Sequence, residues 1–315
     1  MSGAGPWTRS PLPDLAGRTA LVTGPSVGGI GFHTALELAR AGARVVLAGR
    51  TTAKLDDAAH VIRHEVPGAQ LERLELDLAS LESVRHAAEH AGTLGPLHLL
   101  VNNAGVMGTP LRRTRDGFEL QLATNHLGPF LLTGLLLPRL VAGAEATGID
   151  SRVVTVSSLF HRTARSAPLG DPRVPGRYQK WNAYAQSKLA NLLFTFELER
   201  RLRESGAPVR ATAAHPGFAG THLAANGQYG RASGGVASVL DGAIRAVSQS
   251  PAAGAWPTLM AATADLPGGT FCGPGGLGEL SGVAQVVTAG SRAQDPVAQR
   301  ALWEVSERAV GLRWP

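Results

Sequence analysis

Two residues in the middle of the chain carry the first chemical signal. In "NAYAQSKLANLLF", Tyr184 and Lys188 stand four apart, a spacing that puts both on one face of a helix. A phenol beside an ammonium is expected to ionise more easily, because the positive charge favours the phenolate. That brings it from about 10 toward a value suited to exchanging a proton with an alcohol or carbonyl oxygen. The pair alone is weak, since a half-buried tyrosine with a snorkelling lysine has the same spacing. Other polar groups strengthen it. "SRVVTVSS" ends in two hydroxyls, Ser157 and Ser158, and "LHLLVNNAG" ends in polar amides. Asn125 stands in the apolar "LATNHLGPFLL", where a buried amide needs a partner. "HPG", His215 to Gly217, follows another apolar run and is trailed by Thr221.

The second signal is "LVTGPSVGGIGFHTALELARAGARVVLAGR", which reads as strand, glycine-rich turn, helix and strand. Glycine allows a tight turn and lets the backbone and the next helix's N-terminus approach a pyrophosphate. An NAD-preferring site places an acid at the end of the second strand to bond the ribose 2′-hydroxyl. Here Ala48 and Gly49 stand in its place, followed by Arg50, Thr51 and Thr52. Nothing anionic repels a 2′-phosphate there, and a guanidinium is ready to pair with it. The expected cofactor is NADP(H).

These groups need a scaffold that brings them together. Strand-length apolar runs alternate with helical periodicity, the pattern of a parallel sheet with crossover helices. Strands are expected at Thr19–Gly24, 43–50, 70–78, 97–105, 151–158 and 209–217. Helices are expected between them, with Ser80 capping one at its N-terminus. The fold class is α/β: a Rossmann-type, doubly wound parallel sheet flanked by helices, in a single domain over 1–315. Residues 1–13 read as a loose lead-in. Residues from about Leu159 to Asn182 read as a long loop, and 221–255 as a lid over the substrate.

Bulk properties narrow the function classes. The 315 residues are 44% hydrophobic with a mean hydropathy of +0.02, a globular composition with ample core. No apolar run reads as long enough to span a bilayer, and the N-terminus has no signal-peptide apolar region, so no membrane anchor is expected. The net charge of +6 comes mainly from scattered arginines, and the one basic knot, "RRTR" at 112–115, reads as a solvated loop or helix start. Nucleic acid is therefore not an expected partner. A single cysteine, Cys272, excludes an internal disulfide and fits a reducing cytoplasm. His126, His161 and His215 lack ligand spacing with a carboxylate, so no metal is expected.

Taken together, these motifs resemble the short-chain dehydrogenase/reductase family, and most of all its retinol-dehydrogenase-like branch and bacterial relatives. The resemblance runs from about Asp14 to the C-terminus and includes "DGFELQLATNHLGPFLLT", "AYAQSKLANLLFTFELERRL" and "GGTFCGPGGLGEL" with "LWEVSE". It implies that Tyr184 is the general acid/base and that Lys188 holds the nicotinamide ribose and lowers the tyrosine pKa. By the same resemblance, Ser158 orients the substrate oxygen, and Asn125 binds a water that relays protons from the lysine to solvent. Asn102, Ala104 and Gly105 would lie beside the adenosine, Asp77 with Leu78 near the adenine, and Pro216, Gly217 and Thr221 beside the nicotinamide carboxamide.

Three departures stand out. The family's glycines usually run G-x-x-x-G-x-G, whereas this chain has Gly24, Gly28, Gly29 and Gly31. Aligning "GGIGFHTA" puts Gly29 and Gly31 in the closing positions around Ile30 and leaves an extra residue within Pro25–Gly28, so that Ser26, Val27 or Gly28 backs onto the phosphate side. The Leu159–Asn182 loop is longer than in a minimal member, which supports the retinol-dehydrogenase-like branch. The membrane-anchoring N-terminus common in animal relatives is not seen.

The reading is an NADP(H)-dependent oxidoreductase that moves hydride between nicotinamide and a carbonyl or alcohol, with ketone or aldehyde reduction the expected direction. A bulky, secondary-metabolite-like small molecule is the expected substrate. Two other readings stay open: a redox-neutral relative such as a dehydratase or cyclase, and a non-catalytic NADP(H)-binding regulator. The helices bearing Asn125 and Tyr184 pair in many family dimers, yet the branch includes monomers.

Overall fold

The central strands carry unbroken apolar stretches, such as Val45–Ala48 and Leu99–Val101, because both faces of the sheet are covered there. Leu21, Val46, Leu100 and Val153 pack into one core, and their neighbours Val22, Val45, Val101 and Val154 pack into another on the opposite face. Such continuous runs, with no polar alternation, are what a parallel sheet between helical layers requires. The computed structural model describes residues 12–174, 176–218 and 249–314.

Strands β1 (Thr19–Thr23), β2 (Arg44–Gly49), β3 (Leu71–Glu75), β4 (Leu99–Asn102), β5 (Ser151–Val156), β6 (Val209–Ala214), β7 (Phe271–Pro274) and β8 (Ala284–Val286) form one sheet in the order 3-2-1-4-5-6-7-8. All neighbours pair in parallel except β7 and β8. Helices α1 (Ile30–Arg40), α2 (Thr52–Glu65), α3 (Leu81–Thr93), α4 (Leu120–Thr147), α5 (Lys180–Ser205), α6 (Pro251–Thr263) and α7 (Pro296–Val310) flank it. The order reverses between β1 and β4, the switch point where doubly wound sheets bind dinucleotides. Ser80 caps α3 as expected, accepting from the Ser83 amide at 3.3 Å.

Several sequence expectations need correction. α4 is long and apolar enough to cross a bilayer, contrary to the expectation that no segment is; yet 67% of its most apolar window is buried, which makes it a core helix. The 159–182 loop contains a 3₁₀ turn at Leu159–Thr163, and its last residues are already the first turn of α5. Of the expected lid, 221–248 lie outside the described residues. Residues 251–255 belong to α6, which starts early because Ser250 accepts from the Ala253 amide and Pro251 fits the first helical position. β7 and β8 were not expected: at four and three residues they lack a periodicity of their own.

The C-terminal segment packs against α4 and α5, the helices that bear Asn125 and Tyr184. Trp303 of α7 meets Phe130 of α4 at 5.0 Å and stacks on Phe194 of α5 at 6.0 Å, and Trp314 lies 4.7 Å from Trp303, all between ring centroids. A Cβ at Gly134 of α4 would sit 2.6 Å from Leu312, so the tail lies directly on the helix.

Candidate active site

The loops leaving the C-terminal ends of β1, β2, β4, β5 and β6 bring the polar motifs to one edge of the sheet. Gly24 ends β1 against Ala104, whose Cβ would be 2.9 Å from one added at Gly24. Ser26 to Gly29 form a tight turn closed by the Gly29 amide on the Ser26 carbonyl at 2.9 Å. Its third residue, Gly28, has φ +76, which suits glycine. Gly31 is where close approach is required: a Cβ there would lie 2.3 Å from Asn103 Nδ2 and 2.7 Å from the Gly24 oxygen. The geometry therefore favours the register closing on Gly29, Ile30 and Gly31, with the extra residue taken up in the Ser26–Gly29 turn.

Helix α1 opens with Gly29 as its cap, with no capping side chain and no acid in its first turn. Its amides and the positive end of its dipole are left for an outside anion, and a pyrophosphate fits that cradle. Arg50 follows β2 beside the turn, where a Cβ on Gly49 would come 3.9 Å from Pro25. It is exposed and makes no hydrogen bond or ion pair among the described residues. Asp77 is half-buried, with Oδ1 accepting from the Ala79 amide at 3.0 Å and its other oxygen unpartnered among those residues. Leu78 is buried, and its carbonyl lies so close to α4 that a Cβ on Gly128 would be 2.3 Å away.

The two asparagines of "NNAG" part ways. Asn102 turns into the helical layer, donating to Thr133 Oγ1 at 3.0 Å, so only its backbone faces the edge. Asn103 locks the glycine turn, donating from Nδ2 to the carbonyls of Thr23 at 2.8 Å and Gly24 at 3.3 Å. Thr23 Oγ1 in turn accepts from the Asn103 and Ala104 amides, each at 3.0 Å. Asn103 and Thr23 were not singled out from sequence. The motif itself signalled the first, but no local pattern marks the second.

The four expected catalytic residues come together. Tyr184 is buried on α5, and its hydroxyl lies near enough to Ser158 for that side chain to act on its ionisation. The adjacent Ser157 has a structural role, donating to the Lys188 carbonyl at 2.8 Å. Asn125 lies in a π-turn, Ala123–Leu127, where the Gly128 amide reaches back five residues to Ala123. Its side chain is fully used, accepting from the Val106 amide at 2.8 Å and donating to the Val106 carbonyl at 2.9 Å and Ser187 Oγ at 2.8 Å. A water held at Asn125 would therefore find its acceptor in the backbone, where a π-turn leaves a carbonyl without its usual amide. Gly105 sits between the groups. A Cβ there would be 3.0 Å from Asn125 Oδ1 and 3.5 Å from Lys188 Nζ.

Burial dominates the electrostatics of the pair. Burial pushes the Tyr184 phenol up to about 12, with the Ser158 hydrogen bond pulling the other way. Lys188 Nζ donates to the Val156 carbonyl at 3.0 Å and stands 6.0 Å from the tyrosine ring centre. Burial brings Lys188 itself down to about 8. Phe160 meets Tyr184 edge-on at 5.5 Å and stacks on Trp181 at 5.9 Å, giving an aromatic wall beside the phenol.

On the other side, Pro216 accepts from Gln249 Nε2, and the Gly217 amide donates to His215 Nδ1 at 3.2 Å. Thr221 lies outside the described residues. His126 is buried and pairs with Ser306 of α7 at 2.7 Å. Burial lowers His126 to about 3 and His215 to about 4, in the second case overriding the raising effect of Glu279. Both rings are neutral in the fold, while the unfolded chain takes up protons near 6.5. Stability is therefore present above about 6.5 and lost as pH falls through the folded values. The loss for His215 alone is about 3 kcal/mol. Thermal unfolding should show Tm falling steeply from pH 6.5 to 4; a flat Tm over that window contradicts neutral burial.

Comparison with known proteins agrees with this geometry. Residues 18–231 match the short chain dehydrogenase family model, and the chain belongs to that family. It is 41% identical over 208 residues to short-chain dehydrogenase TIC 32 A of Brassica napus, chloroplastic, a match covering 65% of each chain. It is 43% identical to polyprenol dehydrogenase of Mus musculus (95% of this chain, 86% of that one). To retinol dehydrogenase 13 of Homo sapiens it is 40% identical, covering 96% and 87%. A solved structure from Mycobacterium paratuberculosis superimposes with a TM-score of 0.79 at 43% identity, covering 99% of this chain and all of that one. An Escherichia coli CFT073 short chain dehydrogenase complexed with NADPH gives 0.61 at 25% identity, covering 83% and 98%.

Proposed function

We propose that the chain is an NADP(H)-dependent reductase of ketones or aldehydes, with Tyr184 as proton donor. The observation that carries the reading is the Tyr184 hydroxyl, buried and held protonated at neutral pH, beside Ser158 and within the Asn125–Lys188 cluster. A bound nicotinamide supplies the hydride to the carbonyl carbon. Tyr184 Oη gives its proton to the oxygen that becomes the alcohol, and Ser158 Oγ holds that oxygen in line. Lys188 keeps positive charge beside the reacting groups, and the π-turn carbonyl near Asn125 offers an acceptor for protons passing to solvent. The α1 N-terminus holds the pyrophosphate, Asp77 faces the adenine, and Gly29 and Gly31 let the chain approach. Pro216 and Gly217 flank the carboxamide.

Two observations favour the phosphorylated cofactor: Arg50 has no partner among the described residues, and no acid stands at 48 or 49. The structural neighbour solved with NADPH has the same fold. For the substrate, relatives named for polyprenol and retinol and the Phe160–Trp181 wall favour an apolar, bulky carbonyl compound. The test is an NADPH-coupled screen of retinaldehyde, a polyprenal and polycyclic ketones, following both cofactor absorbance and product. Net NADPH consumption matched by alcohol formation is expected. Product without net consumption would favour a redox-neutral relative, and tight NADPH binding without turnover would favour a regulator.

A further inference from the structure

Glu279 is the only non-glycine among the described residues with a left-handed backbone, at φ +58. That conformation costs about 1 kcal/mol or more and persists only where surrounding contacts impose it. Here the contacts run to two loops of the active site. Its carboxylate accepts from Arg162 Nη2 at 2.7 Å, on the turn that follows Ser158, and meets His215 Nε2 at 2.9 Å.

The far side of the His215 ring fixes the proton. Nδ1 faces the Gly217 amide at 3.2 Å, and an amide can only donate. Nδ1 therefore carries the lone pair, and Nε2 carries the hydrogen that is given to Glu279. The ring has no room to turn, since a Cβ on Gly273 would lie 2.1 Å from Nε2. The neighbouring His161 is set the other way. Its Nε2 accepts from the Gly290 amide at 3.0 Å, so Nδ1 donates to the Ser158 carbonyl at 2.7 Å. Gly217 is also gripped from the Glu279 loop: a Cβ there would sit 2.4 Å from the Leu280 oxygen, which accepts from the Phe218 amide at 2.8 Å.

We propose that Glu279 is a positioning residue for the cofactor side of the site. Acting through His215, it holds the Nε2–H tautomer whose Nδ1 anchors the Gly217 amide, and through Arg162 it ties that wall to the loop bearing Ser158. The role rests on the reading of Pro216 and Gly217 as nicotinamide contacts. A carboxylate at 279 selects one tautomer because it only accepts. Without it the ring is free to place its proton on Nδ1, which opposes the amide and loosens the backbone at Gly217.

The test combines nitrogen NMR of isotope-labelled histidine with NADPH titration of the wild type, Glu279→Ala and Glu279→Gln. In the wild type His215 is expected as the Nε2–H tautomer; an Nδ1–H ring overturns the proposal without any variant. In Glu279→Ala the ring should sample both tautomers and the Kd for NADPH should rise about tenfold, the factor carried by one charge-assisted hydrogen bond, with KM rising more than kcat falls. Glu279→Gln keeps an acceptor oxygen and should recover most of the affinity. Unchanged tautomer and affinity in Glu279→Ala overturn the role. The Gly217 amide resonance separates the two levels. If it does not shift when NADPH binds the wild type, the cofactor reading of that stretch fails. If it shifts while Glu279→Ala binds NADPH normally, only the role of Glu279 fails.

Discussion

Replacing Tyr184 with phenylalanine should lower kcat for carbonyl reduction by about 10³-fold while leaving the fold and NADPH affinity nearly intact. The expectation follows from what the substitution removes. The ring keeps its edge contact with Phe160 and stays buried, so packing is preserved. Only the hydroxyl is lost, with its contact to Ser158. One neutral hydrogen bond is worth about 1 kcal/mol to stability, but a positioned proton donor is worth about 10²- to 10⁴-fold in rate. Because burial holds the phenol near 12, the wild-type group is protonated at neutral pH, the state that reduction needs. Steady-state kinetics on a confirmed substrate, with NADPH binding measured separately, provide the check. Near-normal turnover in Tyr184→Phe would remove the tyrosine from the chemistry.

Arg50→Ala should raise KM for NADPH by about 10- to 100-fold and leave NADH kinetics almost unchanged, because a guanidinium–phosphate contact of charged groups contributes about 1.5–3 kcal/mol. The residue is exposed and has no partner among the described residues, so removing it breaks no internal bond and stability should stay the same. The selectivity is the informative part. An equal loss with both coenzymes would mean that Arg50 acts on the turn and not on the 2′-phosphate. A wild-type preference for NADH would overturn the NADP(H) assignment altogether.

The strand-helix alternation was legible because a sheet buried on both faces forces uninterrupted apolar runs, which 45–48 and 99–101 show plainly. β7 and β8 were not legible, since they are strands only by virtue of the edge they extend. The tyrosine–lysine pair was visible from spacing, but its electrostatics were not. Spacing placed the ammonium near the phenol, whereas the Val156 carbonyl claims that ammonium and burial decides the phenol's pKa. Asn125 could be picked out as a polar residue in an apolar helix. That its amide is spent on Val106 and Ser187 depends on a π-turn with no local signature.

The sequence by itself determined the elements that local pattern controls: the parallel sheet, the glycine turn without an acid after β2, and the identities of Ser158, Tyr184 and Lys188. The packed fold was needed to show that Asn102 turns into the helical layer while Asn103 locks the glycine turn, since adjacent residues point to opposite sides of a chain whose neighbours come from far away. It alone joined Glu279 to His215 and Arg162 across 64 and 117 residues. Contacts between distant segments leave no periodicity in the chain, and here they set the proton positions on which the site depends.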